Sequence, residues 1–264
     1  MNDAATKKEK IAANFKFVFS TLAFASLFVM IALFDGSKFD LEFYATHVTS
    51  ENVVSRWANL CYYTYWSATV DFVWSTSLFL WANFGVKFAK RVAFNRYLRA
   101  YVVVSQLVVG IFYGSFSVVS AFWSYSMTGN GFAEGLTLFA VFNALRTLVL
   151  HFINTFDVLW VDKTLRVVGE KLTFPKNLLP SIVFFVYYPT ILLVCKDRFA
   201  IEWYPYPFFT PTRLYRTFFD GPVDQTVANL LFAAAMALVV AVIVGGFLLY
   251  SRSYDRRIEK SRVS

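Results

Sequence analysis

Long apolar stretches alternate with short polar connections along the whole chain. A transmembrane helix needs roughly 20 mainly apolar residues. Two longer connections remain between such stretches, at about Asp35–Leu60 and Lys196–Thr226. The pattern therefore predicts an all-α fold, a six-helix transmembrane bundle forming a single membrane domain over residues 1–264. The predicted spans are about Phe15–Phe34, Asn59–Phe84, Ala100–Tyr125, Leu136–Trp160, Asn177–Cys195 and Val227–Tyr250.

Basic residues are distributed unevenly between the two ends of these predicted spans. Of the 25 Lys and Arg residues, 18 lie in alternate connections and the two termini, 6 lie opposite them, and Arg146 lies within a span. Cytoplasmic connections retain positive charge, so both termini are predicted to be cytoplasmic. The N-terminal share of this count consists of Lys7, Lys8, Lys10 and Lys16.

The composition favours a lipid environment over the alternatives. The chain is 58% hydrophobic and 20% aromatic, which is too apolar for an ordinary soluble domain. Its net charge of +8 is spread over short runs between apolar segments, so nucleic acid is not an expected partner and membrane lipids are. Cys61 and Cys195 form no metal-binding or disulfide pattern. We expect no metal and no cofactor.

Polar residues recur at helical spacing within the second and fourth predicted spans. Ionisable groups at bilayer depth normally face a bundle interior or a wet cavity and are functional candidates. Residues three or four apart share one face of a helix, so the two polar stripes predict a shared internal pocket. Interhelical hydrogen bonding without chemistry, or a buried Asp71–Arg146 ion pair, remain alternatives. The residues are Thr64, Ser67, Asp71 and Ser75 in the second span, and Asn143, Arg146, Thr147, His151, Asn154 and Asp157 in the fourth.

A hydroxyl and an imidazole are the minimum set for nucleophilic acyl chemistry, in which the imidazole takes the proton as the oxygen attacks a carbonyl carbon. Thr64 and His151 are the candidate pair, with Cys61 as an alternative nucleophile; His47 lies in a predicted outer connection. One geometric objection follows from the predicted spans. Thr64 lies about 5 residues into its span and His151 about 15 residues into its own, a difference in depth of about 15 Å.

Three segments of the sequence resemble the androgen-induced-protein family of six-helix membrane proteins, and especially its bacterial members. They are the stretch from Trp203 to Phe208 (W-Y-P-Y-P-F), the stretch from Tyr63 to Ser67, and the fourth span from His151 to Asp162. The resemblance extends over about Phe15 to Tyr250. The chain departs from the bacterial pattern at Ala68, where relatives carry Asn, and at Thr155, where they carry Pro.

The resemblance implies an activity and a location. Human members of the family are threonine hydrolases that cleave fatty-acid esters of hydroxy fatty acids, which implies Thr64 as nucleophile and His151 as base. The expected protein is then an intramembrane hydrolase of lipid-like esters, in a bacterial cell membrane, with a pocket that includes Ser67, Asp71, Arg146, Thr147 and Asn154. The alternative is a non-enzymatic transporter, channel subunit or binding protein, in which Asp71, Arg146, His151 and Asp157 form a solute or proton path.

Overall fold

The fold is all-helical throughout the part of the chain that can be described. The structure is a computed structural model, and it describes residues 4–33, 63–111, 153–169, 211–219 and 221–263, together with residues 182, 185, 186 and 190. No β-strand occurs among these residues, so the predicted all-α fold is confirmed for them. The helices are α1 Lys7–Leu33, α2 Tyr63–Phe84, α3 Lys87–Ala93, α4 over residues 96–111, α5 Asn154–Thr164, α6 Pro211–Phe218 and α7 Gln225–Val263.

The helices α1 and α7 are longer than the sequence pattern predicts. Helix α1 begins at Lys7, about two turns before the predicted start at Phe15, and α7 continues more than three turns past the predicted end at Tyr250. Helix α2 ends at the predicted residue, Phe84. The predicted third, fourth and fifth spans lie partly outside the described residues.

Local side-chain chemistry explains where several helices begin and end. Thr6 and Glu9 form a capping box at the start of α1: the Glu9 amide donates to Thr6 Oγ1 at 3.2 Å, and the Thr6 amide donates to Glu9 Oε2 at 2.9 Å. Asn95 and Asp224 cap α4 and α7 through their Oδ1 atoms. Gly85 ends α2 with φ of 68°, a conformation that favours glycine.

Helix α1 lies between α2 and α5 and runs antiparallel to both. Against α2, the Phe17 ring stacks on Phe79 and the Phe24 ring stacks on Phe72, each with centroids 4.5 Å apart. Against α5 the order is also reversed: Glu9 pairs with Arg166, just after the end of α5, whereas Lys16, further along α1, pairs with Asp157 in the first turn of α5. Helices α2 and α5 are therefore parallel to each other.

Helix α4 connects this group to α7. One of its faces packs with α2 and α5 in a core that includes Trp74, Val102 and Val158. Its other face contributes to a second core with Ile243 and Phe247 of α7. The Trp74 indole donates to the carbonyl of Ala93 at 3.0 Å, which holds the end of α3 against α2.

Large apolar side chains lie on the outside of the described helices as well as in their core. Charged and amide side chains are buried between the helices, whereas large aliphatic and aromatic side chains cover the outside. Among the described helices, Lys7–Val29 of α1 and Gln225–Ser261 of α7 are long and apolar enough to cross a membrane. The buried polar residues include Lys16, Asp71, Arg99, Gln106 and Asn154, and the exposed apolar ones include Leu22, Phe28, Phe156, Leu230, Leu238 and Leu249.

Replacement of Gly110 by alanine should destabilise the fold. A Cβ atom at this position of α4 would overlap the Thr155 side chain of α5, which is held by a 3.1 Å hydrogen bond from its hydroxyl to the Gln106 carbonyl. We expect Gly110→Ala to lower the free energy of unfolding by about 1–3 kcal/mol, measured by thermal or chemical unfolding in detergent.

The matched control is Gly245→Ala in α7, where an added Cβ meets no atom within 4 Å. This change should leave stability unchanged or raise it by up to about 1 kcal/mol through helix propensity. Equal stabilities for the two variants would contradict the close approach of α4 and α5.

Candidate functional site

A buried charge centre lies where α1, α2 and α5 meet. We call it the Lys16 centre, and it consists of Lys16, Ser20, Asp71, Asn154 and Asp157. Lys16 Nζ lies 2.9 Å from Asp71 Oδ2 and 2.8 Å from Asp157 Oδ1, and Ser20 Oγ donates to Asp71 Oδ2 at 2.7 Å. The side chains of Lys16 and Asp71 are 0% exposed. A single ammonium group therefore links three helices inside the bundle.

The inward face of α1 explains how a lysine reaches this position. The buried residues of α1 include Ala13, Lys16, Ser20, Ala23 and Leu27, at spacings of three and four, which place them on one side of the helix. Small side chains on both sides of Lys16 permit close packing of neighbouring helices. The lysine stem can then be buried while its ammonium reaches both carboxylates.

In the described part of the chain, the ammonium of Lys16 faces the carboxyl groups of both Asp71 and Asp157. Asp71 Oδ1 and Asp157 Oδ2 are buried without a hydrogen-bond partner, as are both polar atoms of the Asn154 amide. Asn154 lies one turn before Asp157 on α5 and is fully buried. Among the described residues, these four polar atoms of the centre therefore have no hydrogen-bond partner.

The structure brings together some of the predicted site residues. Asp71, Asn154 and Asp157 belong to the Lys16 centre, and Ser67 is buried on α2, where its carbonyl accepts a 3.3 Å hydrogen bond from Gln106 Nε2. Asp71 pairs with Lys16. Thr64 is the second residue of α2, but its side chain lies outside the described residues. Arg146, Thr147, His151, Asn143, Cys61, Cys195 and His47 also lie outside them.

Lys16 is the functional candidate that the charge pattern missed. The count of basic residues predicts a cytoplasmic position for it, whereas the structure buries it nine residues into α1. The signal that identifies it is the stripe of small residues at positions 13, 20 and 23, which marks the packed face of α1 and includes position 16.

A second group of charges joins the helices at the end that carries the N-terminus, and we call it the basic-end network. Asp162 of α5 is its hub: its carboxylate accepts from Arg99 Nε at 2.5 Å, from Tyr250 Oη at 2.8 Å and from Arg257 Nη2 at 2.6 Å. Burial acts to lower the pKa of Arg99, but the adjacent Asp162 carboxylate outweighs it and holds that pKa above its ordinary value. Arg99 is therefore permanently charged.

Two further ion pairs and a set of cation–π contacts belong to this network. Glu9 binds Arg166 through Nε at 2.8 Å and Nη2 at 2.5 Å, and Arg96 pairs with Asp255 at 2.8 Å. The guanidinium groups of Arg96, Arg99 and Arg257 surround the Tyr254 ring at 4.8–5.3 Å. Because Asp162 already accepts three donors, the basic-end network has a structural role.

Comparisons with known proteins identify no relative: no family model, no curated protein and no solved structure matches the chain. The resemblance to the androgen-induced-protein family stays a prediction from the sequence. Within the described residues, no three His, Cys, Asp or Glu side chains are grouped in a way that could hold a metal ion.

Removing the central ammonium should destabilise the bundle strongly. Lys16→Met leaves two buried carboxylates without their counter-charge, and loss of one partner of a buried ion pair costs about 3–5 kcal/mol. We expect a corresponding drop in the free energy of unfolding, measured in detergent. Lys10→Met is the matched control, since Lys10 lies on the same helix but is exposed. Similar stabilities for both variants would contradict the burial of the Lys16 ammonium.

Proposed function

We propose that the chain is a multi-pass membrane protein, a six-helix bundle with both termini in the cytoplasm of a bacterial cell. The exposed apolar side chains support this proposal, because such side chains on the outside of α1 and α7 are stable against lipid and unfavourable against water. Two helices are long enough to cross the bilayer, and the basic-end network lies at the end that the charge count assigns to the cytoplasm.

The proposed topology can be tested with single cysteines. In a background without Cys61 and Cys195, Lys260→Cys should react with a membrane-impermeant maleimide only in inverted vesicles. Ser50→Cys, in a predicted outer connection, should react in intact cells. Labelling of both positions from the same side would contradict this arrangement of the spans.

We propose that the protein hydrolyses fatty-acyl or similar lipid-like esters within the membrane, with Thr64 as nucleophile and His151 as base. One observation carries this proposal: Asp71 of α2 and Asp157 of α5 bind the same ammonium group, and the two helices are parallel. Thr64 precedes Asp71 by seven positions and His151 precedes Asp157 by six. On an α5 helix continued back to His151, as proposed here, these spacings would differ by only about 1.5 Å at 1.5 Å per residue, which supports the pairing of Thr64 with His151.

The proposed chemistry balances with the residues of the pocket. Thr64 Oγ attacks the ester carbonyl carbon while His151 takes its proton, and the same proton then goes to the departing alcohol oxygen. Water, deprotonated by His151, then attacks the acyl-threonine carbonyl carbon; the bond to Thr64 Oγ breaks as His151 returns the proton to that oxygen, and the fatty acid is released. Ser67, Asp71, Arg146, Thr147 and Asn154 are the proposed polar pocket residues. The Lys16 centre would lie at the cytoplasmic end of this pocket, two turns from Thr64.

Activity assays on single variants test the proposal. Purified protein in detergent should release fatty acid from acyl esters and react with a fluorophosphonate probe. Thr64→Ala and His151→Ala should each reduce turnover by at least about 10²-fold, the size of a general-base contribution. Thr164→Ala and His47→Ala are matched controls, because Thr164 only donates to the Trp160 carbonyl of its own helix. If Thr64→Ala and His151→Ala both keep the turnover of the wild type, the hydrolase proposal is refuted.

The second candidate is a non-enzymatic transporter, channel subunit or binding protein. The observation that favours it is the Lys16 centre itself, since carboxylates buried in a bundle mark ion and proton pathways. Proton-coupled uptake into liposomes that is lost in Asp71→Asn, together with an absence of ester hydrolysis, would select this class.

A further inference from the structure

The short helix α3 presents exposed aromatic rings and exposed basic groups side by side, at the end of the bundle that carries the N-terminus. We propose that it binds the head group of an anionic phospholipid. The Lys87 ammonium and the Arg91 guanidinium hold the phosphate, and the rings of Phe84 and Phe88 enter the acyl-chain region beside it. The inference rests on the proposed membrane arrangement of the chain and is independent of the hydrolase proposal.

The contacts of its buried face fix the orientation of α3. Ala89 and Ala93 are buried, and the carbonyl of Ala93 accepts the hydrogen bond from the Trp74 indole of α2. Directly after α3, the Phe94 ring packs edge-on against Trp81 of α2, with centroids 4.7 Å apart. The helix is therefore held against α2, and its opposite face points away from the bundle.

This opposite face of α3 combines charge with an aromatic ring. At 3.6 residues per turn, Lys87, Phe88 and Arg91 lie within about 100° of one another around the helix, opposite Ala89 and Ala93. All three side chains are exposed, and that of Phe88 is 73% exposed. Basic and aromatic side chains of this kind are typical of helices that lie in the membrane–water interface.

The exposed rings lie where the chain leaves the hydrocarbon region in the proposed arrangement. Helix α2 ends at Phe84, which is also the predicted end of the second span, and this ring is 69% exposed. Asn83 of α2 donates to Asn14 Oδ1 of α1 at 2.6 Å, so α3 follows α2 at the end of the bundle where α1 begins. Lys and Arg side chains at this depth extend from the hydrocarbon to the phosphates.

The charge of this part of the chain fits an anionic ligand. Five basic residues and no Asp or Glu lie between positions 72 and 133. Two of the five, Arg96 and Arg99, are buried and pair with carboxylates inside the bundle, whereas Lys87 and Arg91 are exposed. Ammonium and guanidinium groups form strong, charge-assisted hydrogen bonds with phosphate oxygens.

The aromatic rings favour a phospholipid over a dissolved anion. Phe84 and Phe88 are unfavourable against water and stable against acyl chains, whereas free phosphate offers these rings nothing to contact. A head group with a net negative charge is favoured over a zwitterionic one, because the cationic group of the latter would be repelled by Lys87 and Arg91. The ligand that fits both parts of the face is therefore an anionic phospholipid.

Lipid titration of the full-length, delipidated protein in detergent, followed by native mass spectrometry, tests the inference. The wild type should bind phosphatidylglycerol about 10-fold more tightly than phosphatidylcholine, as expected for two basic groups beside one anionic head group. Lys87→Gln/Arg91→Gln should remove this preference, each single change should remove part of it, and Lys87→Arg/Arg91→Lys should retain it. The matched control is Arg252→Gln/Arg256→Gln, which removes two exposed basic groups, also four positions apart, from α7 at the same end.

Four results would overturn the inference. They are equal affinities of the wild type for the two lipids, a preference that persists in Lys87→Gln/Arg91→Gln, an equal loss of preference in the α7 control, and displacement of phosphatidylglycerol by an equal concentration of inorganic phosphate. The third would assign the preference to the whole positive surface, and the fourth would assign the site to a free anion. Melting temperatures equal to that of the wild type establish that each variant is folded. Neither the orientation found by maleimide labelling nor ester hydrolysis changes these affinities, so this test is separate from those of the proposed function.

Discussion

The ammonium group of Lys16, held between Asp71 and Asp157, connects α1, α2 and α5 at one point. A buried ion pair is seldom the most stabilising choice for a core, but loss of the ammonium leaves buried carboxyl groups without their counter-charge. Because the same ammonium binds a carboxylate of α2 and one of α5, it links the three helices at one level. The small residues around Lys16 make this arrangement possible, because they allow neighbouring helices to pack closely around the lysine.

The basic-end network is a second set of ion pairs that joins several helices. Glu9 and Lys16 are seven residues apart on α1, so the two layers are separated by about 10 Å along the helix. Asp162 gathers α4, α5 and α7 around one carboxylate, and Glu9 adds α1 through Arg166. Because Glu9, Asp162 and Asp255 are paired internally, several lysines and arginines at this end are left exposed. The same pairing that stabilises the bundle thus produces the positive surface expected to face the cytoplasm.

Much of the helical framework could be predicted from apolar span length. The end of α2 at Phe84 and the helical nature of α1 and α7 follow from that pattern. The extension of α7 beyond Tyr250 could not be predicted, because Tyr254 and Arg257 look like tail residues until α4 and α5 are in place around them. Residues of the site are likewise hard to identify from the sequence when their partners are distant along the chain. Asp71, Asn154 and Asp157 were identifiable as polar residues in apolar spans, whereas Lys16 appeared to be a terminal loop charge, since its partners lie 55 and 141 positions away.

The most direct test of this account is a double-mutant cycle between Lys16 and Asp157. The free energy of unfolding in detergent is measured for Lys16→Met, Asp157→Asn and the combined variant. We expect the combined variant to lose less free energy of unfolding than the two single losses add up to, by a coupling energy of about 0.5–3 kcal/mol. The reason is that removal of Asp157 removes one of the carboxylates that Lys16→Met leaves without a counter-charge. A parallel cycle between the exposed Lys10 and Asp157 should be additive. Additive losses in the Lys16 cycle would contradict the shared ammonium on which the arrangement of α1, α2 and α5 depends.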